Sequence, residues 1–367
     1  MSKAANNQSG VKSMLVFGDL ACPTKEMAWE LKKEIKKAGI FDNKNLILGN
    51  LEGALVEDDF HDSTRKLYNC NSVIEIFDSP IKTVLSIANN HMYDYPDRIL
   101  DTVELLKSKG INCVGLNDDN QIIKPLVFNQ DDKRYVVFAH CWNVMTKIVQ
   151  NKQNDLRINS SSYNELVESV KREREADMDS YIVVYPHWNF DYEKLPFPAH
   201  RKLSKKLIDV GANAVIGGHS HYVNGGEVYN GGIIIYGLGN FFIPDGVFFN
   251  GKLIFPEFSH LTLVVDIKEE IKDSICYWLE VRSDDEVSLR LKKVESFIDG
   301  ELINKYSPFR KMTDKEYQHF FKCNREKSLL VPIWWSYESS FVNSLKDIFI
   351  ICRIKTLRLL KTILRKW

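Results

Sequence analysis

An α/β fold is what this sequence predicts, and two observations predict it. Short β-branched runs alternate with stretches whose apolar residues recur at helical spacing, the mark of strand–loop–helix units. Most of those runs also empty into loops carrying Gly, Asn, Asp, Glu or His, the strand ends at which α/β folds keep their chemistry.

In order, Ser13 to Phe17 reads as a buried strand ending at Gly18-Asp19. Thr24 suits an N-cap for a helix over Lys25 to Ala38. Its Met27, Leu31, Ile35 and Ala38 are helix-spaced, and Gly39 closes it. Asn45 to Leu48 is a second strand, ending in Gly49-Asn50-Leu51-Glu52-Gly53, and residues 54–72 read as a polar, irregular excursion over the active face. Thr83 to Ala88 runs into Asn89-Asn90-His91 and Asp94, and Pro96 then opens a helix that Gly110 stops. Asn112 to Leu116 and Arg134 to Trp142 are further strands, and 144–161 reads as a long loop or lid. Ser162 to Ala176 is a charged helix. Tyr181 to Tyr185 is a strand ending at Pro186-His187-Trp188, and Pro198 to Gly211 is an amphipathic helix. Asn213 to Ile216 then breaks through Gly217-Gly218 into His219-Ser220-His221, and a hairpin around Gly231-Gly232 leads to Gly237-Leu238-Gly239-Asn240. Leu261 to Ile267, Ile275 to Val281 and Val287 to Leu291 change period and read as antiparallel strands completing a second sheet.

Composition narrows the class. Hydrophobic residues make up 44% and charged residues 27%, ordinary for a soluble globular chain able to bury a core. Lys+Arg and Asp+Glu both number 49, so no whole-protein basic footprint for nucleic acid exists and none is expected as a partner. Seven scattered cysteines without a CxxC pair read as reduced, mostly buried thiols. Met1 to Gly10 lacks an apolar leader core, and no uncharged apolar run reaches the ~18–20 residues of a membrane span. A cytoplasmic protein is expected.

Collected by position, the strand ends offer Asp19, Glu52, Asn90-His91, His187, His219 and His221. This mixed O/N donor set, without thiolate, suits Mn, Zn, Fe or Ni. Its size allows two ions, which Glu52 could bridge, an arrangement that clamps both the attacking and leaving oxygens of a phosphoryl displacement and makes hydroxide available at neutral pH. His91 need not be a ligand and could serve as a general acid.

The ordered motifs Gly18-Asp19, Asn50-Leu51-Glu52, Ala88-Asn89-Asn90-His91, Pro186-His187-Trp188, Gly218-His219-Ser220-His221 and Tyr236-Gly237-Leu238-Gly239-Asn240-Phe241 resemble the bacterial CapA family. This is the poly-γ-glutamate and capsule-synthesis branch of the calcineurin-like metallophosphoesterases. The resemblance runs from about residue 12 to 268. It implies a four-layer fold, two facing sheets flanked by helices, over a domain at 12–296. It implies one metal held by Asp19, Glu52 and His221, a second held by Glu52, Asn90, His187 and His219, and an acid role for His91. Asn50, Asn89, Trp188 and Asn240 are expected at the substrate, a phosphoester or polymer precursor. The implied activity is metal-dependent hydrolysis in capsule or surface-polymer biosynthesis. The alternative is a non-catalytic accessory protein of a membrane synthase. Two features depart from the wider pattern. Residue 21 is Ala where the superfamily has a first-motif His, and Asn189 and Asp191 stand where the branch commonly has Gly and Glu.

Residues 297–367 form a C-terminal extension. From Lys346 to Trp367 it carries seven Lys/Arg against one acid, with Leu345, Ile348, Ile351, Ile354, Leu357, Leu360 and Leu364 near helical spacing. A basic amphipathic helix over 345–367 would lie peripherally on the inner face of an anionic membrane, dock on a synthase, or pack on its own domain.

Overall fold

The computed structural model describes residues 13–364 apart from 43, 45, 63, 65, 79–81, 118–122, 131–132, 150–156, 284–285 and 328–329. The strands are β1 (Ser13–Leu20), β2 (Leu46–Leu51), β3 (Leu55–Val56), β4 (Asn69–Cys70), β5 (Thr83–Ser86), β6 (Asn112–Val114), β7 (Leu126–Gln130) and β8 (Lys133–Cys141), then β9 (Tyr181–His187), β10 (Ala214–Ile216), β11 (Val223–Tyr229), β12 (Gly232–Leu238), β13 (Asn240–Phe242), β14 (Leu261–Lys268), β15 (Ile275–Arg282) and β16 (Ser288–Ser296). One sheet has the order β16-β15-β14-β1-β2-β5-β6, with β13 also pairing β1; the other has the order β11-β12-β10-β9-β8-β7. β1, β2, β5 and β6 run parallel, as do β8, β9, β10 and β12. These are the strands that carry the polar loops, so their C-terminal ends gather at one edge of the two sheets.

Side chains such as Phe17, Val184 and Ile235 are fully buried, and the two sheets are tied by Tyr185, whose Oη donates to the Phe17 carbonyl at 2.7 Å. Close approach sets some residues outright. A Cβ on Gly18 would sit 1.9 Å from the Gly239 carbonyl, so only glycine lets β1 pass there. Helices cover the outer faces: α1 (Lys25–Ala38), α2 (Ile99–Ser108), α3 (Asn143–Val149), α4 (Tyr163–Ala176) and α5 (Pro198–Asp209), followed by a short turn α6 (Phe248–Gly251), then α7 (Glu301–Tyr306), α8 (Asp314–Asn324) and α9 (Phe341–Leu364). α1 shows the local logic. The Thr24 hydroxyl accepts from the Met27 N–H, Gly39 at φ 64° closes the C-terminus, and Ala28, Leu31 and Ile35 turn inward.

Three sequence expectations change. The strands from Leu261 onward do not build a second sheet; β14 pairs antiparallel with the open edge of β1, Ser13 opposite Lys268, and extends the first sheet. The stretch read as a lid from residue 144 begins instead with α3, because Val144, Met145 and Ile148 bury against the core. The excursion over 54–72 is partly ordered by pairing of β3 with β4, although Thr64, Lys66 and Leu67 do reach the site.

The C-terminal segment packs on the body. Phe297, Ile303, Phe309, Tyr317, Phe321, Trp334 and Ile350 join the main core. Arg201 of α5 pairs through two nitrogens with Glu227, at 2.8 and 2.9 Å, and donates to the carbonyls of Phe309 and Met312. No helix among the described residues is long and apolar enough to cross a membrane. All seven cysteines are free, four of them buried.

Candidate metal centre

Each expected donor sits at or just beyond a strand end. Asp19 lies near the end of β1, opposite Asn50 of β2 and Asn240 of β13. Glu52 follows β2, Asn90 and His91 follow β5, His187 ends β9, and His219 and His221 follow β10. Gly217 permits that last turn, since a Cβ there would lie 2.1 Å from the Tyr236 carbonyl. Among the described residues, Tyr192, His219 and His221, which line this site, all stand at positive φ. Such backbone persists only where neighbours over-determine it, and it clusters at functional positions.

The six expected donors are brought together. Asn50 Nδ2 donates to Asp19 Oδ1 at 2.8 Å and the His219 N–H donates to Oδ2 at 3.0 Å. His187 lies between the two acids, Nδ1 3.8 Å from Asp19 Oδ1 and Nε2 3.6 Å from Glu52 Oε1, with Asn90 Oδ1 3.0 Å from Nε2. One donor atom each from Glu52, His219 and His221 lies within 4.8 Å of the others. His221 Nδ1 sits 2.7 Å from Asn240 Oδ1 and 3.9 Å from Asp19 Oδ2.

Two features show that these residues fit a divalent cation. Glu52 is fully buried and neither carboxylate oxygen has a hydrogen bond; both ring nitrogens of His219 likewise lack one. A buried carboxylate without partners is costly, and a cation is the partner that removes the cost. The protonation states agree. Burial holds the His187 ring well below the usual imidazole range, reinforced by His219, His221 and His91, and burial brings His219 down to about 3. Neutral imidazoles are ready to ligate. Burial, then the charges of Asp19, Asp191 and Asp94, push Glu52 well above the usual carboxyl range; burial also raises Asp19. A cation among them reverses that push.

His91 is placed differently. Its Nδ1 lies 2.7 Å from Asp94 Oδ2, and its Nε2 points toward the centre, 3.9 Å from Glu52 Oε1. Burial pulls its pKa down, but the carboxylates of Asp94, Asp191 and Asp19 together outweigh this and hold it above the usual value. Asp94, three residues on, is a partner that sequence reasoning passed over; the His-x-x-Asp spacing within one 3₁₀ turn was its signal. Asp191, singled out in the sequence as a departure from the branch pattern, has its Oδ1 3.3 Å from His219 Nε2.

The residues expected at the substrate turn to the protein instead. Asn89 Nδ2 donates to Asn50 Oδ1 and the Leu51 carbonyl, while its Oδ1 accepts from the Met92 and Gly53 N–H groups. Trp188 Nε1 donates to the Tyr236 carbonyl, and Asn50 and Asn240 hold Asp19 and His221. All four are buried, and Asn50 and Asn240 hold donors directly while Asn89 holds Asn50. Asn90, His91, His219 and His221 instead line a cavity of about 1080 Å³, walled by Lys66, Lys252, Met145, Ile148, Tyr192 and Ile354 among others. Ala21, where an imidazole was missed, is fully buried in a small apolar cluster with Val56, Leu67, Tyr68 and Phe248.

Comparison with known proteins adds the family. The chain is 30% identical over 168 residues to the capsule biosynthesis protein CapA of Bacillus anthracis, covering 45% of this chain and 41% of that one. It is 27% identical over 216 residues to the PGA biosynthesis protein CapA of Bacillus subtilis, covering 56% and 55%. The matches thus span about half the length of these relatives. Among solved structures, it is similar to a phosphatase from Mycoplasma pneumoniae, with TM-score 0.44, 11% identity and coverage of 81% and 97%. A calcineurin-like phosphoesterase from Bacillus subtilis gives TM-score 0.37, 12% identity and coverage of 85% and 98%. The sequence profile described as bacterial capsule synthesis protein PGA_cap matches residues 13–245, which include every donor named above, and the chain belongs to that family.

Proposed function

We propose that this protein is a metal-dependent hydrolase of the phosphoester type acting in the biosynthesis of a capsule, surface polysaccharide or poly-γ-glutamate. The observation that carries this reading is Glu52, a fully buried carboxylate with no hydrogen bond to either oxygen, set among His91, His187, His219 and His221. Asp19, Glu52 and His221 would hold one ion, and Glu52, Asn90, His187 and His219 a second. Bound there, Mn, Zn, Fe or Ni would supply positive charge to the reacting oxygens and a nucleophilic hydroxide at neutral pH.

The side chains supply the rest. Asp94 fixes the His91 ring through Nδ1, which leaves Nε2 to pass its proton to the leaving oxygen. Lys66 and Lys252 in the cavity wall favour an anionic substrate, and the volume suits one larger than inorganic phosphate. The test is metal analysis of the purified protein, followed by phosphomonoester and phosphodiester panels with Mn or Zn. Metal-dependent turnover of at least one substrate is expected, lost in His91→Ala while the metal stays. Absence of bound metal, with neither Mn nor Zn giving turnover, would overturn the proposal.

A second reading, a non-catalytic accessory protein of a membrane polymer synthase that binds metal or polymer, is favoured by Ala21. Its apolar surroundings leave the first metal one imidazole short. That reading predicts bound metal, no turnover on any panel substrate, and normal polymer production in cells carrying His91→Ala.

A further inference from the structure

α9 has two apolar faces, and only one is covered. Ile350, Ile351 and Ile354 face the body and pack on the main core, Trp334 Nε1 donates to Asp347 Oδ1 at 2.9 Å, and Lys346 Nζ donates to the Ile333 carbonyl. The inner face is therefore fixed. The outer face is open. Phe341 is 78% exposed, Val342 and Ile348 58%, Leu345 and Phe349 50%. Seven of the seventeen exposed large hydrophobic side chains among the described residues lie on this one helix. At helical spacing Phe341, Leu345, Ile348, Phe349 and Cys352 share a stripe about 100° wide.

A helix that merely packs on its own domain needs one apolar face, and a second exposed one costs free energy unless something covers it. The charges indicate what covers it. At helical spacing Arg353 borders the stripe on one side and Lys355 on the other, and the chain from Lys346 to Trp367 carries seven Lys/Arg and a single acid, while the whole protein is neutral. An open apolar stripe edged by cations is complementary to an anionic lipid surface, with apolar side chains among the acyl chains and cations at the headgroups.

We infer that the outer face of α9 seats this protein on an anionic membrane surface. This is independent of whether the centre hydrolyses anything. Ile354 on the inner side of α9 lies in the cavity wall, so docking brings the cavity to within about one helix diameter, ~10 Å, of the lipid.

Flotation with lipid vesicles tests it. Full-length protein should float with vesicles of phosphatidylcholine containing about one-third phosphatidylglycerol at least tenfold more than with phosphatidylcholine alone, and less at 0.5 M salt. The double variant Leu345→Glu/Ile348→Glu, both exposed positions, should lose flotation with unchanged circular dichroism and thermal midpoint. Flotation that ignores lipid charge, or survives the double variant, overturns the inference. So does failure to float by a protein that light scattering shows to be a dimer broken by the same variant, since a second copy then covers the face.

Discussion

Two groups of buried histidines differ in what surrounds them. On one side His187, His219 and His221 face Asp19 and Glu52, and both oxygens of Glu52 and both ring nitrogens of His219 have no hydrogen bond. On the other, His200 stacks flat on Trp188 at 4.7 Å and meets Trp142 edge-on, while His140 packs against Tyr163. One nitrogen of each ring finds a partner, His200 Nε2 with Tyr163 Oη at 3.2 Å and His140 Nε2 with Ser161 O at 2.9 Å, while both Nδ1 atoms have no hydrogen bond and no acid beside them. Burial pushes both rings down, to about 3 and about 4. All these imidazoles are buried; those of the first group also adjoin Glu52, a carboxylate without a hydrogen bond. A histidine alone says little, and a histidine beside a buried, unsatisfied acid defines a centre.

The comparison can be broken at its acid first. Glu52→Gln is expected to remove bound metal and all measurable turnover, whereas His200→Gln should keep both, as elemental analysis and a phosphoesterase assay will report. Next is the proton donor: His91→Ala should lower kcat by ~10²–10⁴ while metal content stays unchanged. The aromatic group should show itself in stability. His140 and His200 stay neutral when folded, with values near 4 and 3 against ~6.5 when free. The unfolded chain therefore binds more protons between those values, and stability should fall as pH drops from 6.5 toward 4, by up to ~1.4 kcal/mol per pH unit per ring. Urea unfolding of metal-loaded protein at pH 7 and 5 measures this, and His200→Phe should shrink the drop by ~1–2 kcal/mol. The smallest effect belongs to Asp94→Asn, which loosens His91 without removing it and should cost about tenfold in kcat, ~1.4 kcal/mol, with KM little changed.

The donors were legible because each sits at or just beyond the end of a parallel strand, and such strands carry their ends to a common edge of the two sheets. Partners across the fold were not. Nothing near Leu261 says that β14 pairs with β1, since an antiparallel strand can extend either sheet equally well. Asn50, Asn89 and Asn240 look like substrate contacts in a one-dimensional reading, and only the fold shows their amides holding Asp19, His221 and the backbone around residues 51–53. α3 was read as loop because it is only seven residues long, and its apolar residues become meaningful only against the core they meet. The second face of α9 was equally hidden: apolar spacing shows that a helix is amphipathic, and packing shows which of its apolar residues remain open.

The central claim, that Glu52 and the imidazoles around it are a metal centre, is tested most directly by anomalous scattering from crystals grown with Mn. Two peaks are predicted at the strand ends, both bonded to Glu52, one also to Asp19 and His221 and the other to Asn90, His187 and His219. A map with no peak there, and Glu52 instead protonated and hydrogen-bonded to an imidazole, would contradict it.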